Sequence, residues 1–152
     1  MDNEKGELEL MAQARPDAFS IEFDVAMVPV GKGRPRFTRT GHAYTPAKTR
    51  DAETLIANAA RAAMNGRTPV EAPVSVFVMA YFPIPKSWPK EKRERAACHL
   101  ISPQVKPDAD NCLKLVLDAM NGIVFKDDKQ VFCVSFTKHY SAAPRLKILV
   151  AD

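Results

Sequence analysis

Apolar and polar residues alternate in two short stretches of the chain, residues 21–25 and 145–150. A period of two is typical of a β-strand with one buried face, and the second stretch predicts a strand at the edge of a sheet. A third stretch, residues 74–82, is apolar throughout and rich in β-branched and aromatic side chains, which predicts a central strand. Further strands are predicted at 131–138, 99–101 and 124–125.

Helical features mark three other segments. Residues 46–65 begin with a proline, which suits the first turn of a helix. A short, highly charged helix is predicted at 89–97, and a third at 110–121, where Gly122 stops it. The inward stripe of the first helix is predicted to consist of Leu55, Ile56, Ala59, Ala60 and Ala63. The order β-α-β-α-β-β predicts the α+β class, with a small mixed β-sheet packed against helices.

Length and composition bound the class of protein. The 152 residues, 46% of them hydrophobic, suit one core and predict a single domain over residues 21–152. Residues 1–20 are polar and acidic and predict a flexible extension. No apolar run reaches the ~18–20 residues of a membrane-spanning helix, and the start lacks the order of a signal peptide. Three widely spaced cysteines predict free thiols and a cytoplasmic protein without a membrane partner.

Basic residues are concentrated in two runs of a chain whose net charge is +4. Residues 31–50 contain six Lys or Arg and no acid, and residues 86–95 contain five bases against two acids. Each base that meets a phosphate releases condensed counterions, so both runs suit a nucleic-acid backbone. The alternative is an ordinary solvated surface. The predicted phosphate contacts are Lys32, Arg34, Arg36, Arg39, Lys90 and Arg93.

The acidic residues of the C-terminal part are confined to a short stretch. Residues 96–151 contain five acids, all of them aspartate. They are Asp108, Asp110, Asp118, Asp127 and Asp128. On a helix, Asp110, Lys114 and Asp118 share one face at the border of the apolar stripe, where unpaired charges are unfavourable. The last two aspartates are predicted to fold back over the start of that helix.

Two interpretations of these carboxylates stay open from the residues alone. Carboxylate oxygens are the ligands that Mg²⁺ and Mn²⁺ prefer, and a few of them with retained waters make an open site. Such a site activates a water and stabilises charge on a phosphodiester, and a nearby lysine can position the attacking water or neutralise the transition state. The alternative is structural: Asp108 or Asp110 caps the helix, and Asp127 and Asp128 form a turn.

The motifs resemble those of the RusA family of Holliday junction resolvases, many of which are phage-encoded. The core motif is KPDADNCLKLVLDAMNG, followed by FKDDKQV. The segments GKGRPRF, YTPAKT and PIPKSWPKEKR are also similar to the family, as are the late Lys138 and the strand after it. The resemblance covers about residues 22–150.

The resemblance implies a RusA-like fold and a Mg²⁺-dependent homodimer that cuts four-way DNA junctions, with Mn²⁺ as a substitute metal and no small-molecule cofactor. It also implies a role in DNA recombination and repair, in a bacterial or phage-encoded protein. The catalytic residues that it implies are Asp108, Asp110, Asp128 and Lys114. The same three aspartates are the implied metal ligands, with Asp127 and Asp118 in secondary roles. Paired nicks related by a two-fold axis suit a dimer with one carboxylate cluster in each chain.

The expected function is therefore a structure-selective endodeoxyribonuclease that resolves Holliday junctions. Two alternatives stay open: a nuclease for other branched DNA such as forks and flaps, and a DNA-binding module whose aspartates are structural. Junction choice is expected to come from how the dimer and its basic arms accept bent DNA. Trp88 is a candidate wedge at the junction, although a tryptophan beside prolines is more often packed against the core.

Overall fold

A computed structural model of the protein describes residues 18–152. The predicted acidic extension, residues 1–20, lies almost wholly outside the described residues. The elements follow one another as β1 (Ser20–Val25), β2 (Arg36–Phe37), β3 (Ala43–Tyr44), α1 (Ala47–Met64), β4 (Val74–Pro83), α2 (Lys90–Ala97), α3 (Ala109–Met120), a 3₁₀ turn (Asp128–Gln130), β5 (Val131–Ser141) and β6 (Arg145–Ala151). The three long predicted helices and the four main strands are thus confirmed.

The main sheet has the strand order β1-β6-β4-β5. Strands β4 and β5 are parallel, whereas β6 pairs antiparallel with both β4 and β1. The sheet is therefore mixed, and the α+β class predicted from the sequence is confirmed. The prediction that the last strand lies at an edge is wrong, because β6 lies between β1 and β4. Alternation reports one buried face and carries no information on the number of neighbouring strands.

One face of the sheet carries the core. Side chains of β4 alternate between buried and half-buried, and α1 and α3 pack over the buried side. Helix α1 buries residues three to four apart, as an amphipathic helix does. These are Thr49, Ala52, Ile56, Ala60 and Met64. The predicted stripe is wrong at Leu55, which is 48% exposed. The buried stripe begins instead at the polar Thr49, a residue that a search for apolar positions does not select.

The two briefest predicted strands do not form. His99 has a positive φ of 59° in the turn after α2, which is incompatible with a strand. Phe125 makes only isolated bridges, to Val70 and Asn121. The three cysteines are free, with Cys112 buried. Among residues 18–152, no helix combines the length and the apolar character needed to cross a membrane.

Candidate active site and nucleic-acid surface

Helix α3 presents two aspartates at its N-terminal end. The helix is anchored by five buried residues in its sequence of 12, among them Cys112, Leu115 and Val116, so its first turn is left at the surface. Asp108 occupies the N-cap position and Asp110 the first turn, and both are exposed. Within the described part of the chain, the Asp108 carboxylate forms no hydrogen bond that caps the helix. The structural interpretation of Asp108 as a helix cap is therefore not supported.

The segment before Asp108 is held by Lys138 of β5. Its ammonium donates hydrogen bonds to the carbonyl oxygens of Val105 and Pro107, each at 2.7 Å. The same ammonium lies 5.5 Å from the centre of the Phe82 ring. Burial raises the pKa of the Cys112 thiol to about 11, and the charge of Lys138 opposes this shift only in part. Lys138 thus fixes the backbone that leads into the first aspartate.

A glycine-containing loop packs against the same end of α3. A Cβ on Gly31 would lie 2.9 Å from the Cβ of Pro107 and 3.2 Å from that of Asn111, so no larger residue fits without movement. The backbone N–H of Lys32 donates to the carbonyl of Asn111 at 3.1 Å. The N–H of Gly33 donates to Thr49 Oγ1 of α1 at 3.0 Å. The loop is therefore fixed on both helices beside the aspartate pair.

The side chain of Lys32 is paired with carboxylates. Its ammonium contacts Asp118 of α3 in a short ion pair and Glu53 of α1 at 3.5 Å. Burial lowers the pKa of Lys32, but the hydrogen bond and charge of Asp118, with those of Glu53, outweigh it and raise the pKa above the ordinary value. Lys32 thus helps to hold the loop in place. Its contact with a DNA phosphate stays a prediction, and the phosphate would compete for the ammonium with the carboxylates of Asp118 and Glu53. Asp118 pairs with Lys32, whereas Lys114 lies exposed on the same helix.

The Asp127–Asp128 segment forms a capped turn. The Asp127 carboxylate accepts a hydrogen bond from the N–H of Lys129 at 3.0 Å, and Gln130 Oε1 accepts one from the N–H of Asp127 at 2.9 Å. The hydrogen bond from the Lys129 N–H is the main reason that the pKa of Asp127 lies below its usual range. The turn interpretation is therefore confirmed for Asp127. Asp128 is exposed beside it.

Gln130 ties this turn to the far end of the sheet. Its amide donates to the carbonyl oxygens of Val70 and Ala72, at 2.7 and 3.0 Å. The carbonyl of Val124, just beyond the C-terminal end of α3, accepts a hydrogen bond from the N–H of Val70 at 2.8 Å. The turn therefore lies at the C-terminal end of α3, close to the start of β5.

The structure thus places four of the five predicted carboxylates in two pairs at opposite ends of α3, while the fifth, Asp118, pairs with Lys32. The 12 residues of that helix span about 18 Å at ~1.5 Å per residue. Consistently, Lys138 beside the first pair lies seven positions after Val131, about 23 Å along β5 at ~3.3 Å per residue. Among residues 18–152, no three His, Cys, Asp or Glu side chains form a group that could hold a metal. The prediction that the Asp127–Asp128 pair folds back over the helix start is wrong within one chain.

The predicted phosphate-binding residues lie on two exposed elements. Arg34, Arg36 and Arg39 are exposed on and beside the β2–β3 hairpin, directly after the fixed loop. Lys90 and Arg93 are exposed on α2, where Lys90 lies 3.8 Å from Glu94.

The predicted packing of Trp88 is also observed. Its ring meets Tyr140 edge to face at 5.2 Å, and the Lys92 ammonium lies 3.9 Å from its centre. These contacts favour the interpretation that Trp88 packs against the protein over the interpretation that it wedges into the DNA junction.

Comparison with known proteins assigns the chain to a family. The model of the family Endodeoxyribonuclease RusA matches residues 26–151, nearly the whole described chain. The chain belongs to the RusA family. It is also 39% identical over 137 residues to an uncharacterized protein, YqaN, of Bacillus subtilis strain 168, covering 87% of this chain and 96% of that protein. RusA is a family of endodeoxyribonucleases, which supports a nuclease with DNA as its partner.

Three residues that hold the candidate site in place had no structural role in the predictions from the sequence. Lys138, Gly31 and Gln130 were noticed only as parts of segments similar to the family. The Asp-x-x-Gln spacing of a capping box was a signal for Gln130. The backbone contacts of Lys138 and Gly31 join segments distant in sequence, so the sequence carried no local signal for them.

Proposed function

We propose that this RusA-family protein is a Mg²⁺-dependent endonuclease that resolves four-way DNA junctions by paired phosphodiester hydrolysis, in recombination and repair. The observation that carries the proposal is the surface pair Asp108 and Asp110, whose segment is fixed by Lys138 and lies beside a basic hairpin. A helix-capping role does not account for Asp108, since its carboxylate forms no such bond within the described residues.

The donor set fits Mg²⁺ in its chemistry. Mg²⁺ is commonly held by one or two carboxylates with several waters and the phosphates of a substrate. Asp108 and Asp110 supply hard oxygen donors on an exposed surface where a DNA strand has access. When bound, the ion supplies Lewis-acid stabilisation of the scissile phosphate and a water of lowered pKa.

Two lysines have supporting roles in this proposal: Lys114 compensates charge on the DNA, and Lys138 positions Asp108. Lys114 lies one helical turn after Asp110 and is exposed, so its ammonium is suited to a phosphate oxygen that gains charge during cleavage. Lys138 does not contact the DNA in this proposal. It holds the carbonyls of Val105 and Pro107 and so orients Asp108.

The separation of the two carboxylate pairs gives the dimer a specific role. If Asp128 acts with Asp108 and Asp110, as the resemblance implies, their positions at opposite ends of a helix about 18 Å long prevent one ion from bridging them within a chain. In a dimer with a two-fold axis, residue i of one copy faces residue j of the other, and residue j of the first copy faces residue i of the second. We propose that Asp128 is supplied to each site by the second copy of the chain. Two sites related by that axis then cut two strands.

A panel of matched DNA substrates tests the function. Wild-type protein is incubated with a four-way junction, a replication fork, a flap and a linear duplex that share one sequence, with Mg²⁺, Mn²⁺ or EDTA. Paired symmetric nicks in the junction alone, dependent on the metal, are the expected result. Preferential cutting of forks or flaps would transfer the proposal to other branched DNA. Binding without cutting under every condition would leave a DNA-binding module.

A further inference from the structure

The β2–β3 hairpin carries an aromatic ring that nothing in the described chain covers. Phe37 is 72% exposed, and its cross-strand neighbour is the small residue Ala43. Exposed aromatic side chains among basic residues are typical of surfaces that stack on the bases of nucleic acids. Tyr44, on the other face of the hairpin opposite Arg36, is 46% exposed.

The hairpin has a fixed shape despite its short strands. The N–H of Thr38 donates to the carbonyl of His42 at 2.8 Å, and the N–H of Gly41 donates to the carbonyl of Thr38 at 2.9 Å. The Thr38 hydroxyl accepts a further bond from the N–H of His42 at 3.1 Å. Gly41 has a φ of 84°, which a glycine adopts without strain. These hydrogen bonds fix the backbone of the hairpin that carries Phe37.

The base of the hairpin is fixed to the candidate active site. The loop that precedes it bonds to Asn111 through the N–H of Lys32 and packs Gly31 against Pro107. Both partners are close in sequence to Asp108 and Asp110. A DNA strand bound by the hairpin would therefore lie next to the carboxylates of Asp108 and Asp110.

The charge around the ring defines the partner. No acidic residue occurs between Asp24 and Asp51, and three arginines lie on or beside the hairpin. Phe132 makes a useful contrast, since it is 70% exposed but follows the acidic Asp127–Asp128 turn by a few residues. An exposed ring flanked in sequence by arginines has the chemistry of a base-stacking platform on nucleic acid.

We propose that Phe37 stacks on a base exposed at the branch point of the DNA, and that this contact gives the hairpin its preference for branched over linear DNA. The inference rests on the proposed function and deepens it. The arginines contact phosphates, which every duplex has, so they add affinity without selecting a structure. An unstacked base face is available at a branch point and is absent inside a continuous duplex. The ring therefore discriminates where the arginines do not.

The test compares Phe37→Ala and Phe37→Tyr with Leu100→Ala, which also shortens an exposed apolar side chain (69% exposed) but lies outside the hairpin. Binding is measured in EDTA to a four-way junction and to a linear duplex of the same sequence. Stacking on one base predicts that Phe37→Ala weakens junction binding about 5- to 100-fold, with less than a twofold change on the duplex. Phe37→Tyr and Leu100→Ala are expected to bind as the wild type does.

A fluorescent base reports the contact itself. 2-Aminopurine at the branch point is expected to change its emission on binding wild-type protein, and not on binding Phe37→Ala. Equal loss of junction and duplex binding by Phe37→Ala, or no loss, overturns the inference. So does dissociation of Phe37→Ala into monomers in light scattering, because the ring would then contact a second copy of the chain.

The two proposals fail separately. If wild-type protein cuts junctions but Phe37→Ala keeps the full preference for them, only the stacking inference is wrong. If wild-type protein cuts no branched DNA with Mg²⁺, the proposed nuclease function is wrong, whatever the binding of Phe37→Ala.

Discussion

The ammonium of Lys138 lies 2.7 Å from the carbonyl oxygen of Pro107, the residue before Asp108. It also donates to the carbonyl of Val105, so one strand side chain fixes the segment that leads to the first aspartate. Partners that orient a metal ligand commonly contribute about 10- to 100-fold to metal affinity or activity. The role that we propose for Lys138 is therefore to position Asp108 rather than to contact the DNA.

Replacing Lys138 by Met tests this role. We expect the variant to need about tenfold more Mg²⁺ for half-maximal junction nicking and to lose about 1–3 kcal/mol of unfolding free energy, because two carbonyls lose their donor. A metal titration of nicking and a urea unfolding curve measure the two effects.

Lys147→Met is the matched control for that variant, since Lys147 is a half-buried lysine that pairs with Glu22 at 2.6 Å on β1. Its Mg²⁺ requirement should stay unchanged. An equal shift in both variants would show that Lys138 acts through general stability alone.

The pair of Lys32 and Asp118 is predicted to hold the hairpin loop in place. Asp118→Asn should cost about 1–2 kcal/mol of unfolding free energy, because a lysine that is only 29% exposed loses its nearest carboxylate. Hydrogen exchange in residues 31–46 should also become faster. The comparison variant is Glu71→Gln, which breaks an ion pair with Lys126 that is 71–75% exposed and should cost less than about 0.5 kcal/mol. Similar costs for both variants would argue against a scaffold role for Lys32.

Cys112 is predicted to resist alkylation in the folded protein. A thiol with a pKa of about 11 is ionised to only ~0.1% at pH 8, and this side chain is also fully buried. We expect iodoacetamide to label the exposed Cys98 at least about 100-fold faster than Cys112, as mapped by mass spectrometry, and labelling to become equal in urea. Comparable native rates would contradict the packing of α3.

The raised pKa of Cys112 also determines how the unfolding free energy changes at alkaline pH. The pKa of the Cys112 thiol is near its ordinary value of 9.0 in the unfolded chain and about 11 in the folded protein, so the folded protein keeps the proton to higher pH. Unfolding free energy should therefore fall as the pH rises above 9 and level off beyond about 11.

The helices and the main strands were predictable because their signals are local. Helix α3 has a clear apolar periodicity, a proline ahead of its start and a glycine after its end. The interior position of β6 was not predictable, because a strand's neighbours are set by the topology of the sheet. The residues of the candidate site were likewise found by type and motif.

Their arrangement depended on contacts between distant segments. Lys32 and Asp118 are 86 positions apart, and no local pattern indicates that they pair. The predicted cluster of five carboxylates failed for a similar reason. Asp110 lies in the first turn of a helix of 12 residues and Asp128 follows its far end, and the sequence does not tell which end of that helix the later turn approaches.

Asp110→Asn separates catalysis from binding. The variant should lose at least about 100-fold of Mg²⁺-dependent nicking, because the proposed metal ligand is removed. Its binding to a junction in EDTA should be unchanged or tighter, since a negative charge near the DNA phosphates is gone. Gel-shift and nicking assays on one preparation measure both. Equal losses of binding and of cutting would contradict the catalytic assignment.

The most direct test of the whole account mixes two inactive variants, Asp110→Asn and Asp128→Asn, by co-expression. In a dimer with shared sites, a mixed dimer has one site with both native aspartates and one with neither. Random pairing makes about half of the dimers mixed, so nicking should return to about a quarter of the wild-type rate. The products should be single nicks in a four-way junction, dependent on Mg²⁺. A mixture as inactive as either variant alone, with junction binding intact, would contradict the account.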